Sequence, residues 1–264
     1  MKNGCVSVGD TDMYYASFGK GNKTLIVLPG LSDGLSTVKG KALLLSSPYK
    51  KFFEKYTVYM FSRKNNMPEG YTIRDMADDQ ALAMKALGIA NACVMGVSQG
   101  GMIAQYIAVY HPEVVQKLIL VVTAPYANKI AKDAVNSWIS MAEAGDHESL
   151  MVDTAERTYS RAYLDKRRKL FPLIARFTKP MNYDRFLKNA NAILEFDARE
   201  ELSGIIAPTL IMAGDEDHIV GNDAPYEFKQ NIGNSELCIY KGLGHGLFEE
   251  ARDFYNKVYD FCEK

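Results

Sequence analysis

Three short segments of this chain carry residues that could do nucleophilic chemistry. The first is Gly96-Val97-Ser98-Gln99-Gly100, which has the spacing G-x-S-x-G, a serine on a tight turn flanked two residues away by glycines. The apolar run Ala92 to Met95 precedes it, and Met102, Ile103, Tyr106 and Ile107 follow at helical spacing, so the expected context is strand, turn, helix. In that setting the hydroxyl stands above the strand end. The helix N-terminus behind it aims backbone N–H groups at any anion that forms there.

A serine hydroxyl is a weak nucleophile at neutral pH. It needs a histidine base, and the base needs a carboxylate to fix its tautomer and stabilise its cation. The chain has four histidines. His111, before Pro112, reads as a surface helix terminus, and His147 reads as solvated. His218 sits beside the candidate acids and is the reserve. His245 lies in Gly242-Leu243-Gly244-His245-Gly246, between the last strand and the last helix, where ligands of parallel sheets usually bind. It is the expected base. For the acid, the apolar run from Pro208 to Ala213 leads through Gly214 into Asp215-Glu216-Asp217. Asp217 is the expected partner, with Asp215 as the alternative and otherwise a turn cap.

These segments need elements to position them. Alternating apolar runs and helical patterns in the first half predict βα units and a mostly parallel sheet. Strands are expected at Thr24 to Leu28, Thr57 to Phe61, Ala92 to Met95, Lys117 to Val122, Thr209 to Ala213 and Leu237 to Tyr240, after an antiparallel hairpin of Cys5 to Val8 and Met13 to Phe18. A helix is predicted from Ile73 to Gly88, capped by Thr72, and a last one from Leu247 to Phe261. From Tyr126 to Glu200 strand signals vanish, and stripes such as Ile130, Ala134, Trp138 and Ala142, or Tyr183, Phe186, Leu187, Ala190 and Ile193, predict a helical insertion, 126–200, between core segments 1–125 and 201–264.

Composition excludes several classes. With 264 residues, 47% hydrophobic and 24% charged, the chain is an ordinary globular protein able to bury a sizeable core. Thirty-one Lys and Arg against 32 Asp and Glu give no overall attraction for nucleic acid or an anionic membrane. The basic run Lys166-Arg167-Arg168-Lys169 reads as a solvated face. No leader and no apolar run of membrane-spanning length is seen, so a cytoplasmic location is expected. Cys5, Cys93, Cys238 and Cys262 are scattered singly, which predicts reduced, mostly buried thiols and no zinc site. Neither a metal nor an organic cofactor is expected.

Serine, then acid, then histidine, on strand ends, with an inserted helical segment: the chain resembles the α/β-hydrolase superfamily over nearly its whole length. The resemblance implies an α/β-hydrolase fold with a helical cap, and a Ser98–Asp217–His245 triad. It further implies an oxyanion hole from the amide of Gln99 and one in Leu28-Pro29-Gly30-Leu31-Ser32, at Leu31. Many relatives have His-Gly where this chain has Pro29-Gly30, but the donor is a backbone amide.

The fold supports many chemistries. Branches with an aspartate nucleophile do not fit Ser98, and carbon–carbon bond hydrolases often have Trp where Gly246 follows the histidine. Proline iminopeptidases tend to have Trp where Gln99 stands, although Glu143, Asp146 or Glu148 could bind a peptide amine. The leading expectation is hydrolysis of a small or medium carboxylic ester through an acyl-enzyme. A lactonase, a thioesterase, an aminopeptidase or a non-turnover ligand receptor on the same scaffold is the alternative. The insertion should form a lid over Ser98, with Trp138 and Met141 in an apolar pocket and Tyr159, Tyr163, Phe171 and Phe177 further on.

Overall fold

The computed structural model describes residues 1–264. Eight strands form one sheet: β1 (Lys2–Val8), β2 (Thr11–Gly19), β3 (Lys23–Leu28), β4 (Tyr56–Lys64), β5 (Ala92–Val97), β6 (Val115–Val121), β7 (Thr209–Gly214) and β8 (Ser235–Tyr240), in the order β1-β2-β4-β3-β5-β6-β7-β8. β2 pairs antiparallel with both β1 and β4, and every pairing from β4 to β8 is parallel. Each predicted strand is present, most of them longer by one to three residues.

A parallel sheet covered on both faces needs apolar side chains on both, and alternate residues sort accordingly. Ile26, Leu28, Val94, Leu118, Leu120 and Ile211 pack on one side. Leu25, Val27, Cys93, Met95, Ile119, Val121, Leu210 and Met212 pack on the other. The first side is covered by α2 (Ile73–Ala86), α3 (Gln99–Tyr110) and α9 (Ala224–Asn231). The second is covered by α1 (Ala42–Ser46), the 3-10 segment Ser47–Phe52, α10 (Leu247–Glu250) and α11 (Phe254–Glu263). Thr72 and Asp75 form a reciprocal capping box at the start of α2.

Between β6 and β7 run α4 (Lys129–Glu143), α5 (His147–Thr158), α6 (Arg161–Arg167), α7 (Phe171–Thr178) and α8 (Asp184–Leu194). The base of this insertion is pinched by an antiparallel bridge between Tyr126 and Asp197. Ala127 N–H donates to Phe196 C=O at 2.9 Å, and Ala198 N–H to Pro125 C=O at 2.8 Å. No helix is long and apolar enough to cross a membrane.

Four expectations need correction. The final helix is two pieces: Ala251 is extended (φ −80°, ψ 116°) and the helix restarts at Phe254. Leu247, Phe254, Val258 and Phe261 nevertheless reach the same core, so the apolar period survives a break that it does not reveal. Ile130 is exposed while its stripe-mates Ala134, Trp138 and Ala142 are buried. All four cysteines are free thiols, but only Cys93 and Cys262 are buried. His147 is buried rather than solvated: its Nε2 meets Thr178 Oγ1 at 3.2 Å and its ring lies against Tyr183.

Burial, helped by the Lys179 ammonium, holds the His147 imidazole below its ordinary value. As pH falls through that ordinary value, near about 6.5, the unfolded chain takes up a proton that the folded chain resists, and stability is lost. The melting temperature of His147→Gln should therefore fall less between neutrality and mild acid than that of the wild type. Equal slopes would overturn this assignment.

Candidate active site

β5 lies inside the sheet, between β3 and β6, and its last paired residues are Val97 and Val121. The chain then reverses through one residue. Ser98 has φ 53° and ψ −120°, a left-handed backbone that a side chain strains to occupy. Its N–H donates to Val121 C=O at 2.9 Å, and its C=O accepts from Gly101 N–H (2.8 Å) and the Thr123 hydroxyl (2.8 Å). A Cβ at Gly96 would lie 2.2 Å from Gly100 O, and one at Gly100 would lie 2.0 Å from Leu28 O. The turn closes only because both positions lack side chains.

Two further loops meet the same sheet edge. Past β7, Asp217 accepts from Ile219 N–H (2.9 Å) and Val220 N–H (3.0 Å) through Oδ1, and its Oδ2 lies 2.8 Å from His245 Nδ1. Both side chains are buried. With Asp217 Oδ2 as the acceptor, Nδ1 carries the hydrogen, which leaves the Nε2 lone pair free. Ser98 Oγ and His245 Nε2 have no hydrogen-bond partner in the protein, and neither atom is sealed from solvent.

Asp215, the alternative acid, is exposed and accepts from Gly242 N–H at 2.6 Å, tying the two loops together. His218 is exposed, and His111 lies 2.7 Å from Asp78 at the end of α3. The structure therefore brings Asp217 to His245 and leaves the other carboxylates and histidines outside the pair.

The loop after β3 runs against Ser98. A Cβ built on Gly30 would lie 3.3 Å from Ser98 Cβ. Leu31 opens a 3-10 turn, Leu31–Gly34, and Gln99 opens α3, so both amides are at helix starts, where N–H groups have no intrahelical acceptor. Neither donates elsewhere in the protein.

A buried polar network that the sequence does not predict joins Gln99 to Asp33 in the 3-10 turn after β3. Arg63, at the end of β4, donates from Nη2 to Gln99 Oε1 (2.9 Å) and from its backbone N–H to Asp33 Oδ2 (3.0 Å). Arg185 of α8 donates to the same Asp33 Oδ2 at 2.7 Å, and Gln99 Nε2 donates to Asn189 C=O at 2.7 Å. Burial lowers the Arg63 guanidinium to about 10, against the opposing pull of Asp33, so it stays cationic at neutral pH. Its one sequence signal is a charged residue closing the apolar run of β4.

The insertion also grips the histidine loop. Gly246 N–H donates to Thr158 C=O at 2.7 Å, the Tyr159 hydroxyl to Glu249 at 2.9 Å, and Ser160 N–H to Glu250 at 3.0 Å. Beside this junction lies a cavity of about 350 Å³ lined by Glu156, Tyr159, Arg168, His218 and Gly244 among others. Trp138 and Met141 do not line it. Trp138 is 5% exposed and donates its indole N–H to Asp153 at 2.8 Å, and Met141 packs half-buried against the same core. Tyr159 stacks between Tyr163 and Phe171, whereas Phe177 points to solvent. Of the residues expected to line a pocket, Tyr159 borders this cavity, Trp138 and Met141 pack in the core, and Phe177 faces solvent.

Residues 59–251 match the model of the α/β hydrolase fold family. The chain belongs to that family. This α/β hydrolase is 30% identical over 199 residues to the AB hydrolase superfamily protein YisY of Bacillus subtilis, covering 72% of this chain and 73% of that one. Among solved structures it resembles MGS-M2, an α/β hydrolase from a deep-sea metagenome library (TM-score 0.86, 20% identity, 99% and 98% covered). It also resembles the enol-lactonase from Burkholderia xenovorans (TM-score 0.82, 22% identity, 99% and 100% covered).

The strain at Ser98 gives a stability test for the hydrolase. Ser98→Gly should raise stability by about 1 kcal/mol by relieving the left-handed backbone, and Ser98→Ala should not. Gly100→Ala should cost about 2–3 kcal/mol, because its Cβ meets backbone that cannot step aside. Denaturant titration of the three variants measures this, and a Ser98→Gly protein no more stable than Ser98→Ala would refute it.

Proposed function

We propose that this α/β hydrolase is a serine hydrolase that cleaves a small or medium carboxylic ester through an acyl-enzyme. The observation that carries the reading is the buried 2.8 Å contact of Asp217 with His245, at the same sheet edge as a serine held in a left-handed turn.

In this reading Ser98 Oγ attacks the ester carbonyl while His245 Nε2 removes its proton. The carbonyl oxygen becomes an alkoxide that accepts N–H groups from Leu31 and Gln99. Collapse of the tetrahedral intermediate breaks the bond to the alcohol oxygen, which takes the proton from His245. Water, deprotonated by the same Nε2, then attacks the acyl-serine, and a second collapse frees the carboxylic acid and regenerates Ser98. Asp217 holds the imidazole and stabilises its cation throughout. The route calls for no metal ion or organic cofactor. The likeness to an enol-lactonase supports a lactone as a second substrate class, because a lactone is a cyclic ester and reacts by the same steps. The helical insertion, held to the histidine loop at Thr158 and Ser160, would act as the cap over Ser98.

A fluorophosphonate probe should label Ser98 alone, and Asp217→Asn should lower turnover of a chromogenic ester by about 10⁴. Asp215→Asn should stay close to wild type in rate. Labelling at another residue, or a collapse in Asp215→Asn with Asp217→Asn unharmed, would break the assignment. A single slow cycle instead of repeated turnover across esters, lactones and thioesters would favour a ligand receptor.

A further inference from the structure

α7 carries its apolar stripe on the wrong side for a cap helix. Leu170 at the N-cap, Leu173, Ile174 and Phe177 follow the three-to-four spacing that normally marks the face turned to the core, and Met181 lies three residues past the end of the helix. All five are exposed, Phe177 at 83%. The other side of α7 packs on α5. Ala175 is its only buried residue, supplemented by Phe171 stacked on Tyr159 at 5.9 Å.

The same stretch is strongly basic. Residues 161–181 contain Arg161, Lys166, Arg167, Arg168, Lys169, Arg176 and Lys179 against one carboxylate, Asp165, in a chain of net charge −1. Only Arg168 has carboxylate partners, Glu156 at 2.5 Å and Asp165 at 3.9 Å. Arg167 lies over the Tyr163 ring, 4.1 Å from its centroid, and Lys179 donates to Gly145 C=O at 3.1 Å. The remaining cations form no ion pair.

From this pairing of exposed apolar and cationic side chains we infer that α6 and α7 dock on an anionic lipid surface. The stripe enters the interface between head groups and acyl chains, and the flanking Lys and Arg sit among the lipid phosphates. A second copy of the chain is the poorer occupant, because apposing two such faces sets cation against cation. A nucleic acid would leave the apolar stripe without a partner. The overall charge balance argues against a general attraction to membranes, but attachment depends on the local patch, and the patch is segregated on one corner of the insertion. That corner includes α6, whose Arg161 and Leu164 line the cavity beside Gly244, so docking would turn this cavity and the histidine loop toward the lipid.

The test is flotation of the full chain with vesicles of pure phosphatidylcholine and of equimolar phosphatidylcholine and phosphatidylglycerol. The protein should float with the anionic vesicles only, and less so at high salt, which screens the attraction. Lys166→Gln with Lys169→Gln should weaken partition by about twenty-fivefold, at about fivefold per cation removed. Phe177→Ser should weaken it about tenfold or more by removing the most exposed apolar anchor. All of these residues are on the surface, so melting temperature and turnover of a soluble ester should not change. Failure to float with anionic vesicles overturns the proposal, as does flotation that these substitutions leave intact. Concentration-dependent self-association abolished by Phe177→Ser also overturns it, by assigning the stripe to a contact between copies. Flotation and its loss do not depend on the proposed reaction, so the two readings stand or fall separately.

Discussion

The reversal of the chain at Ser98 is the constraint around which the rest of the molecule is arranged. A parallel strand must turn into a helix within one residue, and that residue must keep a side chain. The left-handed backbone this requires is unfavourable by about 1–3 kcal/mol, and the surroundings hold it. Val121 and Thr123 bind its backbone from the neighbouring strand end, and glycines at 96 and 100 let the helix and the β3 loop approach within contact distance. A side chain at Gly100 would push against the backbone that leads into the Leu31 loop, and one at Gly96 would push away the start of α3.

The buried network of Arg63, Asp33, Arg185 and Gln99 serves placement more than stability. Arg63 leaves Nε and Nη1 without partners, and Asp33 leaves Oδ1 so, and an unmet buried polar group is unfavourable by about 1–3 kcal/mol. Replacing such a cluster by apolar residues is often neutral or stabilising. What the cluster achieves geometrically is a chain of directed contacts from the insertion, through Arg185 and Asn189, to the loop after β3 and the first residue of α3. α8 therefore cannot shift without disturbing both.

The legibility of these features in the sequence follows the range of the forces involved. The serine turn and the Gly-rich loop of His245 could be read because glycine requirements and strand-to-helix transitions are local. Asp215 and Asp217 could not be separated with the same certainty, since both are plausible turn residues and only the fold shows which one meets a histidine 28 positions on. Periodicity reported that Leu247, Phe254, Val258 and Phe261 share a face, but it is blind to the extended residue at Ala251 between them. At α7 the apolar spacing of Leu170, Leu173, Ile174 and Phe177 could not by itself say that the shared face looks outward. Arg63 and its partners, up to 122 residues apart, left almost no trace in the sequence.

The bridge between Tyr126 and Asp197 bears on how the chain can assemble. β6 and β7 are adjacent in the sheet but are separated by the whole insertion, the longest excursion between neighbouring strands. The entropy lost on closing a loop rises with its length, and pairing across long separations is slow. Each of the helices α4 to α8 is closed by short-range backbone hydrogen bonds, and the bridge brings the two ends of their segment together. Once they are formed, the stretch left to close is no longer the whole insertion but the two short segments from Val121 to Tyr126 and from Asp197 to Thr209. The insertion thereby shortens the very connection that it lengthens in sequence, and the second half of the sheet can be laid down beside the first as though the intervening chain were a brief crossover.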